Sequence, residues 1–246
     1  MLRTIKSGVK TTIRRLSRST VRYFGELWVS DFGKLRFGDF GRNRPISSDF
    51  GFDRGKPVDR YYIERALGDY AELVRGRVLE VCGRDYTSSF GAEKVVCSDV
   101  LDIDPLNPLA TIVGDLGVVD ALPQGAFDCI VLTQTLHLIY NLDNAMENLY
   151  RALAPGGALL ITVPGISPIV RNWISIWYWA FTELSLKTLL ISRFDESNVQ
   201  VQSYGNVFAA ISFLTGLSLE EVGTEKLDFK DESYPVTVFG CARKPR

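Results

Sequence analysis

The sequence predicts an α/β fold with one doubly wound, mostly parallel sheet of about seven strands and an N-terminal helical extension. Short apolar runs such as 127–133 and 158–163 lack polar alternation, which is typical of strands buried on both faces. Amphipathic segments separate these runs, and the clearest of them, 142–153, ends at a Pro-Gly-Gly sequence that stops a helix. Apolar strands alternating with helices favour a parallel sheet covered on both faces.

The predicted elements follow one another from residue 30 onward. Residues 30–58 are rich in Gly, Asp, Arg and Phe and are predicted to be irregular, and further helices are predicted over 59–73 and 206–216. The seven strands are predicted at 77–82, 94–98, 109–113, 127–133, 158–163, 199–204 and 235–242. A tryptophan-rich helix or lid follows Pro164.

The N-terminal extension, residues 1–45, differs in charge from the single domain predicted over 46–246. Seven basic side chains and no acid lie within residues 1–25, whereas the rest of the chain carries 21 basic and 29 acidic groups. Over residues 1–28 the basic and the apolar side chains form two stripes with helical spacing. Such a helix suits an anionic membrane surface, resembles a mitochondrial presequence, or packs its apolar stripe on the domain.

The cysteine and histidine content limits the classes of site. The four cysteines show no CxxC spacing, and each lies in an apolar, strand-like run. They are predicted to be buried thiols in a reducing compartment, not a disulfide framework or a zinc site. A single histidine excludes a histidine-rich metal site, and no metal is expected. No apolar run reaches the roughly 18 residues of a membrane span, and no secretory signal follows the basic start.

Five motifs occur in a specific order and spacing between residues 77 and 164. They are Val-Leu-Glu-Val at 78–81, Ser-Asp at 98–99, Gly-Asp-Leu at 114–116, Phe-Asp-Cys-Ile-Val-Leu-Thr-Gln-Thr-Leu at 127–136 and Leu-Ala-Pro-Gly-Gly-Ala-Leu-Leu-Ile-Thr-Val-Pro at 153–164. In this order they resemble the class I S-adenosylmethionine-dependent methyltransferases. The resemblance implies a Rossmann-like sheet with a late antiparallel strand, methyltransferase activity, and S-adenosylmethionine as the cofactor.

Three further segments, 53–64, 178–182 and 203–207, resemble a small, type-11-like bacterial subgroup of that family. Members of the subgroup often accompany glycosyltransferases in surface-polysaccharide gene clusters. The resemblance therefore implies a role in polysaccharide biosynthesis and a glycosyltransferase partner. The subgroup usually carries Arg at the position of Ala180, so a polar contact made there is missing from this chain.

The resemblance places the cofactor at the carboxyl edge of the sheet, where ligands bind in such folds. It implies that Glu80 holds the turn after the first strand or reaches the methionine ammonium through water. Asp99, at the predicted end of the second strand, would accept hydrogen bonds from both ribose hydroxyls. Asp115 would cap the adenine amine, with Leu116 offering a backbone N–H and an apolar face. The alternative for the two aspartates is a simple role in turns, where Asp is favoured.

The first turn departs from the family pattern Glu-x-Gly-x-Gly-x-Gly. The glycine positions hold Cys82, Arg84 and Tyr86 in this chain. Gly83 is predicted to restore the turn by shifting its register by one residue, because a residue without Cβ lets the backbone approach a ligand closely. Both Cys82 and Gly83 are therefore predicted to lie against the cofactor.

The end of the fourth strand carries polar residues and the only histidine. By resemblance, Thr133 and Gln134 line the methionine arm of the cofactor. His137 lies four residues past Thr133 and is the predicted general base by residue type and place. The alternative is a histidine at the start of a helix that packs or forms a hydrogen bond.

Several residues are predicted to contact the acceptor. They are Arg60, Tyr61, Tyr62, Tyr86 and Trp173. Arg60, with Arg54, suits a bidentate clamp on the cofactor carboxylate or on an acceptor phosphate, or a surface ion pair with a neighbouring aspartate. Trp173 and its neighbouring tryptophans suit a sugar-stacking platform, a membrane-facing lid or a packed core.

These observations predict a methyltransferase that O-methylates a sugar or another small polar metabolite. The alternative is a catalytically inactive methyltransferase-like module that acts with a glycosyltransferase or at a membrane surface. Binding of NAD(P) is disfavoured because Gly-x-Gly-x-x-Gly is absent. The predicted location is cytoplasmic, with residues 1–28 in peripheral contact with the inner face of the membrane, and no nucleic acid partner is expected.

Overall fold

The computed structural model describes residues 38–246, of which 44–246 form one compact unit. Within residues 38–43, Gly38–Phe40 form a short 3-10 turn. The predictions for the basic helix over 1–28 therefore concern residues outside the described part of the chain. No helix within residues 38–246 is both long and apolar enough to cross a membrane.

A seven-stranded sheet forms the centre of the domain. Its strands are β1 (Gly76–Val81), β2 (Val95–Asp102), β3 (Ile112–Val113), β4 (Phe127–Thr133), β5 (Leu153–Pro164), β6 (Val199–Tyr204) and β7 (Thr237–Arg243). Their order across the sheet is β3-β2-β1-β4-β5-β7-β6. Strands β1 to β5 pair in parallel, whereas β7 runs antiparallel to both β5 and β6. The predicted mostly parallel sheet with a late antiparallel strand is therefore confirmed.

Five α-helices flank the sheet within the described residues. They are α1 (Val58–Asp69), α2 (Leu142–Ala152), α3 (Glu183–Ile191), α4 (Val207–Thr215) and α5 (Leu219–Val222). Side chains that satisfy free backbone N–H groups mark where they begin. Asn141 accepts from the N–H of Asn144 at 3.1 Å before α2, and Asn206 accepts from the N–H of Ala209 at 2.9 Å before α4.

Two apolar layers cover the two faces of the sheet. On one face, α2 belongs to the apolar layer that includes Leu79, Leu101 and Ile130, and α3 packs in the same layer against β6 and β7. On the other face, α1 packs against Val78 and its neighbours in β4, β5 and β7. Because the faces alternate along each strand, the apolar runs predicted as doubly buried strands are buried on both sides.

The second strand ends later than predicted. Leu101 pairs with Val81 of β1 and with Ile112 of β3, and Asp102 pairs with Val113, so β2 continues past Asp99 to Asp102. Burial of Asp99 within a strand is possible because a basic side chain from β1 neutralises it, as described below. The carboxyl end of β2 therefore lies at Asp102, and Asp99 occupies the middle of the strand.

The connection from β2 to β3 is short and irregular. Residues 103–111 link the two strands, and within this described segment there is no helix to cover the sheet beyond β2. Within the described residues between β1 and β2, the sheet is covered only by a π turn, Thr87–Gly91, followed by a 3-10 turn, Ala92–Lys94. The outer part of β2 is consequently accessible, and Val96 is 88% exposed.

The four cysteines, all within the described residues, are free thiols in two environments. Cys129 and Cys241 are buried in the sheet, as predicted. Cys82 and Cys97 are exposed, so the prediction of four buried thiols is wrong for these two. The reason is local, since Cys82 lies in the turn after β1 and Cys97 lies on the less covered part of β2.

Candidate cofactor and acceptor site

Glu80 holds the turn that follows β1. Its carboxylate is buried, with 3% of the residue exposed, and accepts hydrogen bonds from the backbone N–H groups of Tyr86 at 3.1 Å and Thr87 at 2.7 Å. Burial raises the pKa of Glu80, and the N–H groups of Thr87 and Tyr86 oppose that effect. Of the two roles that the resemblance implies for Glu80, these contacts correspond to holding the turn.

The left-handed residue of this turn is Cys82 rather than Gly83. Cys82 has a φ of +64°, a conformation that favours glycine, and its N–H donates to the carbonyl of Leu101 at 2.9 Å. Gly83 has an ordinary φ, and a Cβ placed on it would meet no atom of residues 38–246 within 4 Å. The turn therefore keeps its course without the shift of register predicted at Gly83.

This geometry predicts opposite effects for two substitutions in the turn. Cys82→Gly removes a side chain from the left-handed position, and we expect the free energy of unfolding to rise by up to roughly 1–2 kcal/mol because the backbone strain disappears. We also expect binding of S-adenosylhomocysteine to tighten about 3- to 10-fold, because a side chain that crowds the ligand is removed. Gly83→Ala is expected to change the free energy of unfolding by less than about 0.5 kcal/mol. It is expected to weaken the binding of S-adenosylhomocysteine, because the added methyl group would occupy space where the backbone approaches the ligand.

Calorimetric titration and urea unfolding of both variants check this pair. Weaker ligand binding by Cys82→Gly than by the wild type would contradict the assignment of Cys82 to the strained position against the cofactor. The Cys82→Val variant serves as a control, because a β-branched side chain at positive φ is expected to destabilise the fold.

Asp99 forms an ion pair in the middle of the sheet. Its Oδ2 accepts from Nε of Arg77 at 2.7 Å, and its Oδ1 accepts from Oγ1 of Thr111 at 2.9 Å. Burial acts to raise the Asp99 pKa, but the hydrogen bonds from Arg77 and Thr111 outweigh burial and lower it. The predicted place of Asp99 at the carboxyl end of β2 is therefore wrong, and its oxygens are occupied by protein partners.

Asp102 is the acid at the carboxyl end of β2. Its Oδ1 accepts from the N–H of Asp104 at 2.9 Å, and its Oδ2 accepts from Nδ2 of Asn107 at 2.6 Å. The pKa of Asp102 is lowered, mainly by the N–H of Asp104, so the side chain is a carboxylate at neutral pH. Asn107 also donates to the carbonyl of Cys82 at 3.0 Å, which joins Asp102 to the turn after β1.

Asp102 was not among the site residues predicted from the sequence. The sequence does contain a signal for Asp102. Apolar residues continue past Asp99 at Val100 and Leu101, and a strand allowed to include Asp99 would end at Asp102. Asp102 and Asp99 each accept hydrogen bonds on both carboxylate oxygens, so acceptor capacity does not separate them. Asp102 is the better candidate for contacts with ligand hydroxyl groups because it ends β2 at the edge of the sheet, whereas Asp99 is paired with Arg77 in the middle of the strand.

Asp115 and Leu116 follow β3 directly. The N–H of Gly114 donates to the carbonyl of Asp102 at 3.0 Å, which brings the end of β3 beside the end of β2. Asp115 is exposed, and its Oδ1 accepts from the N–H of Gly117 at 2.7 Å. The side chain of Leu116 is buried in the core between the sheet and α2, so only its backbone is left for the contact with adenine that the resemblance implies.

Thr133 and Gln134 end β4 at the same edge of the sheet. Gln134 adopts a φ of +44°, and its N–H donates to the carbonyl of Thr162 in β5 at 2.9 Å. The carbonyl of Thr133 accepts from Oγ1 of Thr135 at 2.9 Å. The chain therefore turns sharply here, and the side chains of Thr133 and Gln134 are both half-buried.

His137 is buried immediately after this turn, with only 1% of the residue exposed. Neither ring nitrogen has a hydrogen-bond partner among residues 38–246, and the ring packs against Trp177 with the centroids 4.1 Å apart. Burial lowers the pKa of His137 to about 4, so the imidazole is neutral at pH 7. A neutral imidazole has one nitrogen with a free lone pair that can accept a proton.

The segment 165–182, named the aromatic lid from here on, covers His137. The N–H groups of Tyr178 and Phe181 donate to the carbonyls of His137 at 3.0 Å and Pro164 at 2.9 Å, which fixes the lid over the ends of β4 and β5. Its exposed apolar side chains are Ile169, Trp173, Ile174, Ile176, Tyr178 and Trp179. An exposed apolar surface of this kind, next to a polar site, is typical of a binding surface.

Trp173 joins the lid to the irregular segment before α1. Its ring lies 6.3 Å from that of Phe50 and 6.4 Å from that of Trp177, between centroids. Phe50 in turn stacks on Phe213 of α4 at 5.9 Å. Trp173 therefore lies in the middle of a row of rings that runs from Phe213 through Phe50, Trp173 and Trp177 to His137, and its own ring is partly exposed.

The predicted acceptor residues of α1 differ in accessibility. Tyr62 is 1% exposed and donates to the carbonyl of Leu227 at 2.9 Å, so an acceptor cannot reach it and this prediction is wrong. Tyr61 donates to Asp228 at 2.5 Å. Arg60 lies 3.7 Å from Asp59 and 5.6 Å from the ring centre of Phe52, whereas Arg54 forms its ion pair with Glu221.

Tyr86 lies close to Arg60 across the turn after β1. Burial raises the pKa of Tyr86, and the charge of Arg60 lowers it in part. The ring of Tyr86 stacks with that of Phe90 at 6.3 Å. Arg60 and Tyr86 therefore remain candidates for contacts near the cofactor turn. No group of three or more His, Cys, Asp or Glu side chains in the described part of the chain is arranged to hold a metal ion.

Comparison with known proteins gives the family. A family model described as a methyltransferase domain matches residues 58–202, which is more than half of the chain. A solved S-adenosylmethionine-dependent methyltransferase from Archaeoglobus fulgidus is 16% identical, with a TM-score of 0.51, and the alignment covers 75% of this chain and 94% of that chain. At this identity the likeness shows the fold alone.

Two further matches are weaker, one in structural similarity and one in the length of chain that it covers. A methyltransferase of the same cofactor class from Mesorhizobium loti is 18% identical with a TM-score of 0.49, over 79% of this chain and all of that chain. Probable polyketide synthase 10 of Dictyostelium discoideum is 32% identical over 107 residues, which are 42% of this chain and 4% of that protein. The chain thus spans only a small part of this curated relative, and the synthase's activity is not transferred to it.

The family model covers α1, the parallel strands and the edge that carries Glu80, Asp102, Asp115 and His137. The strand order, with β7 inserted antiparallel between β5 and β6, agrees with that family assignment. This chain belongs to the methyltransferase domain family.

Proposed function

We propose that this methyltransferase O-methylates a hydroxyl group of a sugar or another small polar metabolite, with His137 as the general base. The observation that carries the proposal is the burial of a neutral imidazole with two unpartnered ring nitrogens, among residues 38–246, beneath the aromatic lid. Aromatic side chains such as Trp173 suit stacking on a sugar ring, and the N–H and O–H groups of neighbouring residues suit its hydroxyls.

The chain's own residues at the carboxyl edge suit the cofactor. Asp102 ends β2 at this edge and suits the ribose hydroxyls, Asp115 is exposed for an adenine amine, and Glu80 fixes the backbone of the turn. Thr133 and Gln134 line the methionine side. When bound, S-adenosylmethionine supplies an electrophilic methyl group on a sulfonium.

The remaining chemistry belongs to the protein. In the proposed reaction the free nitrogen of His137 would accept the proton of the acceptor hydroxyl as the acceptor oxygen takes the methyl group. The bond from the methyl carbon to sulfur would break, S-adenosylhomocysteine would leave, and the positive charge of the sulfonium would end on the imidazolium of His137. Because His137 is only 1% exposed beneath the lid, the proposed reaction requires the lid to open for the acceptor. Once closed again, the lid excludes water and positions the acceptor, which accounts for much of the rate in such transfers. The base contributes a factor of about 10²–10⁴.

His137→Asn tests the role of the base. We expect the rate of methyl transfer to fall by about 10²–10⁴ while the affinity for S-adenosylhomocysteine stays within about threefold, because His137 contacts the lid and not the acids of the edge. The measurement uses radiolabelled methyl transfer to a panel of methyl hexopyranosides and nucleotide sugars, with calorimetry for the ligand.

The matched control is Trp177→Phe, which keeps an aromatic ring over His137. Transfer by His137→Asn at the wild-type rate would exclude His137 as the base. Loss of both transfer and ligand binding in His137→Asn would assign it a packing role instead, which was the alternative predicted from the sequence.

The partner and location proposals rest on the sequence alone. We retain, as part of this proposal, the role in polysaccharide biosynthesis, a glycosyltransferase partner, a cytoplasmic location and peripheral membrane contact through residues 1–28. The non-catalytic module predicted as the alternative has two grounds in the sequence, the missing glycines of the first turn and the scarcity of catalytic residue types. Its weight decreases because Cys82 takes the left-handed conformation that the turn requires.

A further inference from the structure

A second concave site lies away from the carboxyl edge. A cavity of about 350 Å³ opens between the helical turns after β1 and the first half of β2. Its polar lining residues are Arg84, Thr87, Ser88 and Ser98, and its other walls are short apolar side chains. The absence of a helix within residues 103–111 leaves this side of β2 free of a covering layer.

Polar atoms without partners are concentrated at this cavity. Within residues 38–246, nine buried side-chain nitrogen or oxygen atoms lack a hydrogen-bond partner, and three of them belong to lining residues. They are Nε of Arg84, Oγ1 of Thr87 and Oγ of Ser98. Thr87 is 2% exposed. Leaving such groups unpaired costs about 1–3 kcal/mol each, so a site that keeps three of them is built to be filled by a polar ligand.

The hydrogen-bond donors that line the cavity favour an anionic ligand. The guanidinium of Arg84 has donors only, and the hydroxyls of Thr87, Ser88 and Ser98 can each donate. No carboxylate is among the described residues that line the cavity. We propose that the cavity is an oxyanion site that binds a phosphate-sized group, either inorganic phosphate or the phosphoryl group of a small metabolite.

This site is separate from the proposed cofactor site. Ser98 lies in the first half of β2, whereas Asp102 ends the strand at the opposite edge. Arg84 links the two regions, because it lies in the turn after β1 and its Nη2 approaches the carbonyl of Leu109 at 3.4 Å. An anion bound to Arg84 would therefore stabilise the same turn that Glu80 holds through the N–H groups of Tyr86 and Thr87.

Calorimetric titration of the full chain with inorganic phosphate, and separately with glycerol 3-phosphate, tests the proposal. We expect one site for at least one of the two probes, and the tighter probe identifies the source of the phosphoryl group. Thr87→Val and Ser98→Ala are each expected to weaken binding by about tenfold or more, because each removes one hydrogen bond to an anion.

The choice of variants separates loss of the anion contact from loss of the fold. Thr87→Val keeps the volume and the backbone N–H that donates to Glu80 at 2.7 Å, but it also removes a hydroxyl beside the Glu80 carboxylate, so Ser98→Ala is the primary variant. Ser89→Ala is the matched control, since Ser89 is exposed on the same helical turn and does not line the cavity. Thermal unfolding of each variant verifies the fold, and Ser98→Ala decides the question if Thr87→Val fails to fold.

Three results would overturn the proposal. They are no heat from either probe up to about 10 mM, equal affinity in the wild type and in Ser98→Ala, and complete loss of phosphate binding when S-adenosylhomocysteine is present. The last result would place the anion in the cofactor site instead. Persistence of phosphate binding in the presence of S-adenosylhomocysteine, combined with its loss in Ser98→Ala, supports a separate oxyanion site.

Discussion

Asp102→Ala is expected to weaken the binding of S-adenosylhomocysteine by about 100-fold. The carboxylate ends β2 at the edge of the sheet, where Asp104 and Asn107 hold its two oxygens in place. Two hydrogen bonds from ribose hydroxyls to a charged acceptor contribute about 1.5–3 kcal/mol each, and partial replacement by water reduces the sum. Calorimetric titration with S-adenosylhomocysteine measures the loss directly.

Asp99→Asn is the matched comparison for this prediction. Its carboxylate pairs with Arg77 in the middle of β2, so the substitution is expected to lower the free energy of unfolding by about 1–2 kcal/mol, because a hydrogen bond to a charged group is weakened. Ligand affinity should change by less than about threefold. The reverse pattern, with a large loss of affinity in Asp99→Asn and little in Asp102→Ala, would return the ribose contact to Asp99.

The stability of the protein is expected to fall by up to about 3 kcal/mol between pH 6.5 and pH 4 because of His137 alone. Burial lowers the pKa of His137 from 6.5 to about 4. Between these values the unfolded chain binds a proton that the folded chain does not, so the free energy of unfolding decreases as the pH falls. Each unit of pKa difference corresponds to about 1.4 kcal/mol.

Urea unfolding at pH 7.5, 6.5, 5.5 and 4.5 measures this effect as a difference between the wild type and His137→Phe. The carboxylates titrate equally in both proteins, so the difference isolates the imidazole. The chain has one histidine, and its ring proton resonances are therefore unambiguous in NMR spectra. Parallel stability curves for the two proteins, or an imidazole that titrates near pH 6.5, would show that the ring is not buried in solution.

The strand pattern could be predicted closely because it depends on local apolar runs. The limits of β4 and β6 agree with 127–133 and 199–204, and α2 ends within one residue of its predicted limit. The end of β2 could not be predicted in this way. Asp99 looks like the polar end of an apolar run, and it is kept inside the strand by Arg77, which is distant in sequence.

The site residues were harder to predict for the same reason. Residue type makes Glu80, Asp115 and His137 candidates, but their accessibility depends on which side chains fold over them. The aromatic lid buries His137, and Leu227 accepts the hydroxyl of Tyr62, and neither contact has a signature in the local sequence. The backbone conformation of Cys82 likewise follows from its hydrogen bond to Leu101 in the neighbouring strand.

A crystal structure of the full chain with S-adenosylhomocysteine tests the central claim most directly. We predict that both ribose hydroxyls lie within hydrogen-bond distance of the Asp102 carboxylate, that the adenine amine faces Asp115, and that the ion pair between Arg77 and Asp99 is intact. A ribose bound to Asp99 with Arg77 displaced, or a nucleoside bound away from the carboxyl edge of the sheet, would contradict this account.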